Sequence, residues 1–143
     1  MRSTLLTIAA VVFCLAPNTF DDDAKKDQEK MQGEWTLVSL ERDGQPAPAE
    51  FAKSMKRSVN GNAFTVTLGG QVRGKGTFTL DASKKPKEID VKTERNQTLR
   101  GIYEMGDDTF KQCYGPPGAP RPKDFAAPGG SGITVAVWKR AMK

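Results

Sequence analysis

The sequence predicts an all-β protein: an eight-stranded antiparallel up-and-down barrel with a short helix at its N-terminal side. Three observations carry this expectation. From residue 34 onward, apolar residues alternate with Thr, Lys, Asp or Glu in short runs, which is the period of a half-buried strand. Turn signals built from Gly, Asn, Asp and Pro separate those runs, and no helical pattern long enough for a crossover lies between them. Eight such runs joined in sequence can close on themselves, which removes the exposed edges of an open sheet.

The elements follow in chain order. Met1–Thr4 carries one basic side chain, and Leu5–Leu15 is uncharged. That run is about half of the roughly 20 residues a membrane-spanning helix needs, and it has the usual length of a signal-peptide core. Residues 1–20 are therefore expected to be an export leader, with no transmembrane span in the mature chain. The sequence around the cut is not a clean cleavage motif. Cys14-Leu15-Ala16 precedes Pro17, and Phe13 does not suit a lipoprotein site, so released and tethered forms both fit. A polar segment over residues 21–29 follows, with Asp23 expected to cap a helix through Met31 and Gly33 to stop it. The barrel domain is expected over residues 30–143.

Glu34–Glu41 reads as the first strand, with Trp35, Leu37 and Ser39 on one face, and Asp43-Gly44 turns the chain. Pro48 is placed to start one or two helical turns. Lys56–Val59 is a short strand, and Asn60-Gly61-Asn62 is a hairpin turn because Asn and Gly accept positive φ. Phe64, Val66 and Leu68 alternate with Thr. Gly69-Gly70 turns again, and Gln71–Leu80 returns with Phe78 and Leu80 on one face. Gly74 and Gly76 within that strand predict a bend or bulge. Asp81–Pro86 is a polar turn, and Glu88–Lys92 alternates Ile89 and Val91 with charge. Thr98–Met105 and Thr109–Tyr114 flank the turn Gly106-Asp107-Asp108. A long Pro/Gly loop, Gly115–Gly132, leads to the last strand, Ile133–Lys139.

Composition then narrows the chemistry. The chain has 143 residues, enough for one domain with a single core. It contains no histidine, which removes Ser-His and Cys-His nucleophile pairs, imidazole bases and His-containing zinc sites. Once the leader is gone only Cys113 remains, so neither an internal disulfide nor a thiolate metal site can form. The formal charge of +5 comes from 22 Lys and Arg against 17 Asp and Glu. The basic residues read as solvated turn charges, namely Lys53, Lys56 and Arg57, then Lys84, Lys85 and Lys87, then Arg121 and Lys123. A nucleic-acid surface would focus them and interleave aromatics, so no nucleic-acid partner is expected.

Gly33-Glu34-Trp35 opens the first strand directly after the helix, and Trp138-Lys139-Arg140 closes the last. This resembles the lipocalin and wider calycin pattern, in which a basic residue of the final strand packs across the Trp of a G-x-W and plugs the barrel base. Over nearly the whole mature chain, several segments also resemble a small exported domain family of planctomycete bacteria whose function is not established. Those segments are Met31–Ser39, Lys84–Asp90, Gly101–Glu104, Cys113, Pro116-Pro117-Gly118 and Arg121-Pro122. That resemblance implies export and the domain bounds, and it brings no catalytic residues.

The remaining motifs read as structural. Gly69, Gly74 and Lys75 approach a phosphate-loop spacing, but Gly76 stands where Ser or Thr would hold magnesium, and a strand follows instead of a helix. Asp21–Asp23 and Asp107-Asp108 lack the spacing of a cation loop. Glu34, Glu41, Glu88, Asp90 and Glu104 alternate with apolar neighbours, which makes them the wet faces of strands. Cys113 falls on the opposite strand face from Phe110, Gln112 and Tyr114, as a packed, unreactive thiol. Trp35 and Arg140 are expected as a cation–π plug that closes the barrel, the alternative being the floor of a ligand pocket, with Tyr103, Tyr114 and Gln112 lining the interior. The leading functional expectation is an exported, monomeric, non-enzymatic barrel without cofactor or metal, binding a small apolar or amphipathic ligand. The alternative is a filled barrel that docks on another envelope protein, with an enzyme third. Inward side-chain size decides between the first two.

Overall fold

A computed structural model describes residues 19–141 of the chain. The expected leader therefore lies outside the described residues, apart from Thr19 and Phe20. Nine strands form one sheet. They are β1 (Gly33–Arg42), β2 (Gln45–Pro46), β3 (Met55–Asn60), β4 (Ala63–Leu68), β5 (Gln71–Asp81), β6 (Lys87–Thr93), β7 (Thr98–Met105), β8 (Thr109–Tyr114) and β9 (Thr134–Arg140). Helix α1 (Thr19–Met31) precedes the sheet, and the six-residue α2 (Ala49–Ser54) connects β2 to β3. The two-residue β2 pairs only with the end of β1. The other eight strands pair antiparallel in sequence order, and β9 returns to β1, so the barrel is closed. This is the expected architecture, that of a lipocalin-like barrel.

The parity of each strand decides what fills the inside. Trp35 and Leu37 of β1 face inward, as do Phe78 of β5, Ile89 and Val91 of β6, Tyr103 of β7, Phe110 of β8 and Trp138 of β9, all at most 5% exposed. Ser39 does not join them. Leu37 pairs with Trp138 while Ser39 pairs with the next residue, Val137, so Val38 bulges out of register. The extra residue reverses the alternation. Ser39 is exposed, Val38 stands half in solvent, and Leu40 takes the inward place instead.

The expected irregularity in β5 is present too. Val66 opposes Gly74 while Thr67 opposes Val72, so Arg73 is the extra residue. Gly76 has a separate, steric reason to be glycine, because a Cβ there would collide with the Lys92 carbonyl and the Phe64 ring.

Two ends result. At one, α1 lies across the hairpin turns that join β3 to β4, β5 to β6 and β7 to β8. At the other stand α2, the Gly69-Gly70 and Thr93–Thr98 turns, and the start of the long loop after β8. That loop lies against the outer wall. It buries Pro122 and Ala127 beside the outward-facing Ile102 and Cys113.

Candidate functional site

The helix end of the barrel is closed by polar groups that have found partners. Trp35 Nε1 donates to the carbonyl of Met31 at 2.8 Å. The Arg140 guanidinium lies 4.5 Å from the Trp35 ring and donates to the carbonyls of Gln32 and Lys30, at 3.0 and 2.7 Å. A cation there suits the C-terminal carbonyls of α1. Trp35 and Phe110 meet at 6.2 Å in a tilted pair. The Tyr103 hydroxyl donates to Asp27 at 2.8 Å, and Lys87 Nζ bonds the same carboxylate oxygen at 2.8 Å. Burial, then Asp27, holds the Tyr103 phenol above its ordinary range.

The opposite half is hollow. A cavity of about 590 Å³ runs inside the barrel from a buried floor to exposed residues at the α2 end. Its apolar wall includes Leu40, Met55, Phe64, Val66, Val91 and Leu99. Space remains because several inward positions carry little or no side chain, notably Gly74 and Ala136. The volume falls in the range of small-molecule sites, about 300–1,000 Å³.

Arg57, Gln112 and Trp138 form the floor. Arg57 is buried at 4% exposure, pairing in register with Trp35 on β1 and Val66 on β4. Its guanidinium carbon sits 4.7 Å from the Phe64 ring and 5.1 Å from the Phe110 ring, and Nη1 donates to Gln112 Oε1 at 2.8 Å. Nε and Nη2 have no hydrogen-bond partner among the described residues, and neither has Trp138 Nε1. No carboxylate among the described residues faces this cation. Among the described residues that border the cavity the one acid is Glu94, in the turn after β6. Desolvation lowers the Arg57 pKa to about 10, so it remains a cation at neutral pH. Burial also raises the Tyr114 phenol, opposed by the charges of Arg57 and Arg42.

The reading of Arg57 as a turn charge is thus corrected: it shares the inward parity of Met55 and Val59 on β3. Two more of those residues are engaged rather than free. Lys87 holds Asp27, and Arg121 clips the long loop to Glu88 at 3.1 Å and Asp90 at 2.8 Å. Conversely, basic residues that nothing in the sequence groups together converge at the mouth. Arg42, Arg73, Lys75 and Arg95 border it, against Glu94 alone. They come from the end of β1, the β5 bulge and the β6–β7 turn, so only the closed fold brings them together.

Of the residues expected at a pocket, Tyr114 and Gln112 border the cavity, while Trp35, Tyr103 and Arg140 belong to the closed end beneath its floor. Glu34, Glu41 and Glu104 are exposed, and Glu88 and Asp90 lie on the outer wall with Arg121. Cys113 is fully buried on the outer face, its Sγ 3.4 Å from the Asp124 carbonyl, and burial pushes its thiol up to about 11. Phe125 is half-buried, with Lys111 Nζ 4.7 Å from its ring. Fold and site together define a closed up-and-down barrel with one plugged end and one open, cation-floored cavity. The chain matches no protein-family model, no curated protein and no solved structure.

Proposed function

We propose that this protein is an exported, monomeric, non-enzymatic binding module that holds one small amphipathic molecule in the open half of its barrel. The observation that carries the reading is the 590 Å³ cavity, apolar in its walls and continuous from a buried floor to solvent. Protein interiors ordinarily close such space, since an unfilled void forfeits dispersion contacts on every wall atom. The same chain packs its other half with large side chains and satisfies the polar groups there. An opening that persists beside such packing is what a reversible ligand site requires. The uncharged run Leu5–Leu15 supports export, and the helix–Trp–Arg closure supports a likeness to the calycin pattern.

Native mass spectrometry of the mature protein, purified from its host's envelope, tests the reading. A stoichiometric added mass that leaves on denaturation is expected, and its value identifies the ligand class. A bare monomer mass, repeated across gentle preparations, would move the weight to a docking role for the barrel's outer surface.

A further inference from the structure

We propose that the ligand is an amphiphile with a single carboxylate, bound head-inward against Arg57 with its apolar tail toward the mouth. This rests on the binding-module reading above and adds the head-group chemistry and the orientation.

Arg57 supplies the first argument. A guanidinium taken from water loses several kcal/mol of hydration unless acceptors replace it. Here one neutral amide oxygen and two ring faces are the replacements, leaving Nε and Nη2 unbonded. Those two nitrogens form one edge of the guanidinium plane and are themselves buried, so a carboxylate at the floor is drawn by the uncompensated charge and engages their N–H groups only as the neighbouring side chains adjust. Trp138 Nε1 is a further unmet donor on the same floor. The floor thus carries a positive charge, and among the described residues that border it no carboxylate neutralises that charge.

The mouth supplies the second. Four basic residues against one acid give the opening a net positive field, which raises the local concentration of anions and speeds their capture. An amphiphile with a cationic head would meet repulsion at both the mouth and the floor. A neutral one would leave the Arg57 charge as poorly compensated as before. The apolar walls between floor and mouth suit an alkyl or polycyclic tail.

Titration of the purified, delipidated protein with dodecanoate, dodecanol and dodecyltrimethylammonium, followed by tryptophan fluorescence and calorimetry, tests this. Dodecanoate is expected to bind about tenfold or more tighter than dodecanol, the usual gain from hydrogen bonds to a charged group. The ammonium is expected to bind weakest. Arg57→Met should erase the preference for dodecanoate over dodecanol while leaving dodecanol binding in place. Equal binding of acid and alcohol to the native protein overturns the head-group assignment but leaves the binding module standing. Absence of binding by all three overturns both for chains of this class. The native-protein comparison decides the matter even if Arg57→Met fails to fold. If the preference for dodecanoate survives in a folded Arg57→Met protein, the carboxylate is held elsewhere and the orientation is wrong.

Discussion

The two halves of this barrel handle the same ingredients differently. Each contains an arginine stacked on aromatic rings and a buried tryptophan. At the helix end Arg140 reaches the Lys30 carbonyl of α1, the Gln32 carbonyl just after it and the Asp108 carboxylate, and Trp35 has its own carbonyl acceptor. At the open end Arg57 has one neutral acceptor and Trp138 has none. The helix end is filled by Trp35, Phe110, Tyr103 and Phe78, whereas the open end leaves about 590 Å³ unfilled. One end spends its chemistry on closure. The other keeps unmet donors and empty volume, both of which cost stability, and such costs collect where proteins bind.

Truncating one apolar side chain in each half should break or sharpen that contrast most strongly. Trp35→Ala removes a ring that packs on Phe110 and Arg140 and ties α1 to the barrel, and should cost about 3–5 kcal/mol. Leu99→Ala, whose side chain already borders the cavity, should cost only about 1–2 kcal/mol, because there are fewer neighbours to lose. Urea denaturation of both variants measures the difference. Equal losses would mean that the open half is as tightly packed in solution as the closed one.

Much of this arrangement was legible beforehand. The bounds of β7 and β8 follow from alternation and the intervening Gly-Asp-Asp turn, and the Trp35–Arg140 contact is what the resemblance to the calycin G-x-W pattern implies. What escaped depends on partners distant in sequence. The bulge at Val38 exists only in the pairing of β1 with β9, so strict alternation put Ser39 on the wrong face. Arg57 sits one residue after Lys56 and four after Lys53, and in that company it reads as a surface charge. Its signal was parity: an arginine flanked at two-residue spacing by Met55 and Val59 lies on their face whatever its charge. The basic mouth had no such local signal, because its members come from separate segments.

A smaller effect tests the satisfied polar groups of the closed half. Tyr103→Phe removes the hydroxyl that donates to Asp27 while Lys87 still holds that carboxylate, and should cost about 1 kcal/mol near neutral pH. Its pH dependence is specific. The folded Tyr103 phenol keeps its proton at a pH where the unfolded chain, with an ordinary pKa of about 10, releases it. Tyr103's stabilisation is therefore complete below that value and is lost as the pH rises above it. The stability gap between native protein and Tyr103→Phe should shrink as the pH rises from about 9 to 11. A gap that stays constant over that range would place the hydroxyl in contact with water instead of Asp27.

The smallest change in stability should accompany a large change in binding. Gly74 lines the cavity opposite Val66, its φ is unexceptional, and a Cβ built there meets nothing within 4 Å. In a packed barrel such a glycine would be a defect, since it weakens a strand without relieving a clash. Gly74→Val should therefore raise stability by about 0.5–1 kcal/mol, through lower unfolded-state entropy and better strand propensity. The added isopropyl group would project into the cavity and should weaken dodecanoate binding about tenfold or more by occupying the path of the tail. Thermal unfolding and calorimetric titration of the one variant read both effects. A gain in stability with undiminished binding would show that the tail does not pass Gly74. A loss of stability would show that the open half is less hollow than its geometry indicates, and the contrast between the two ends would narrow accordingly.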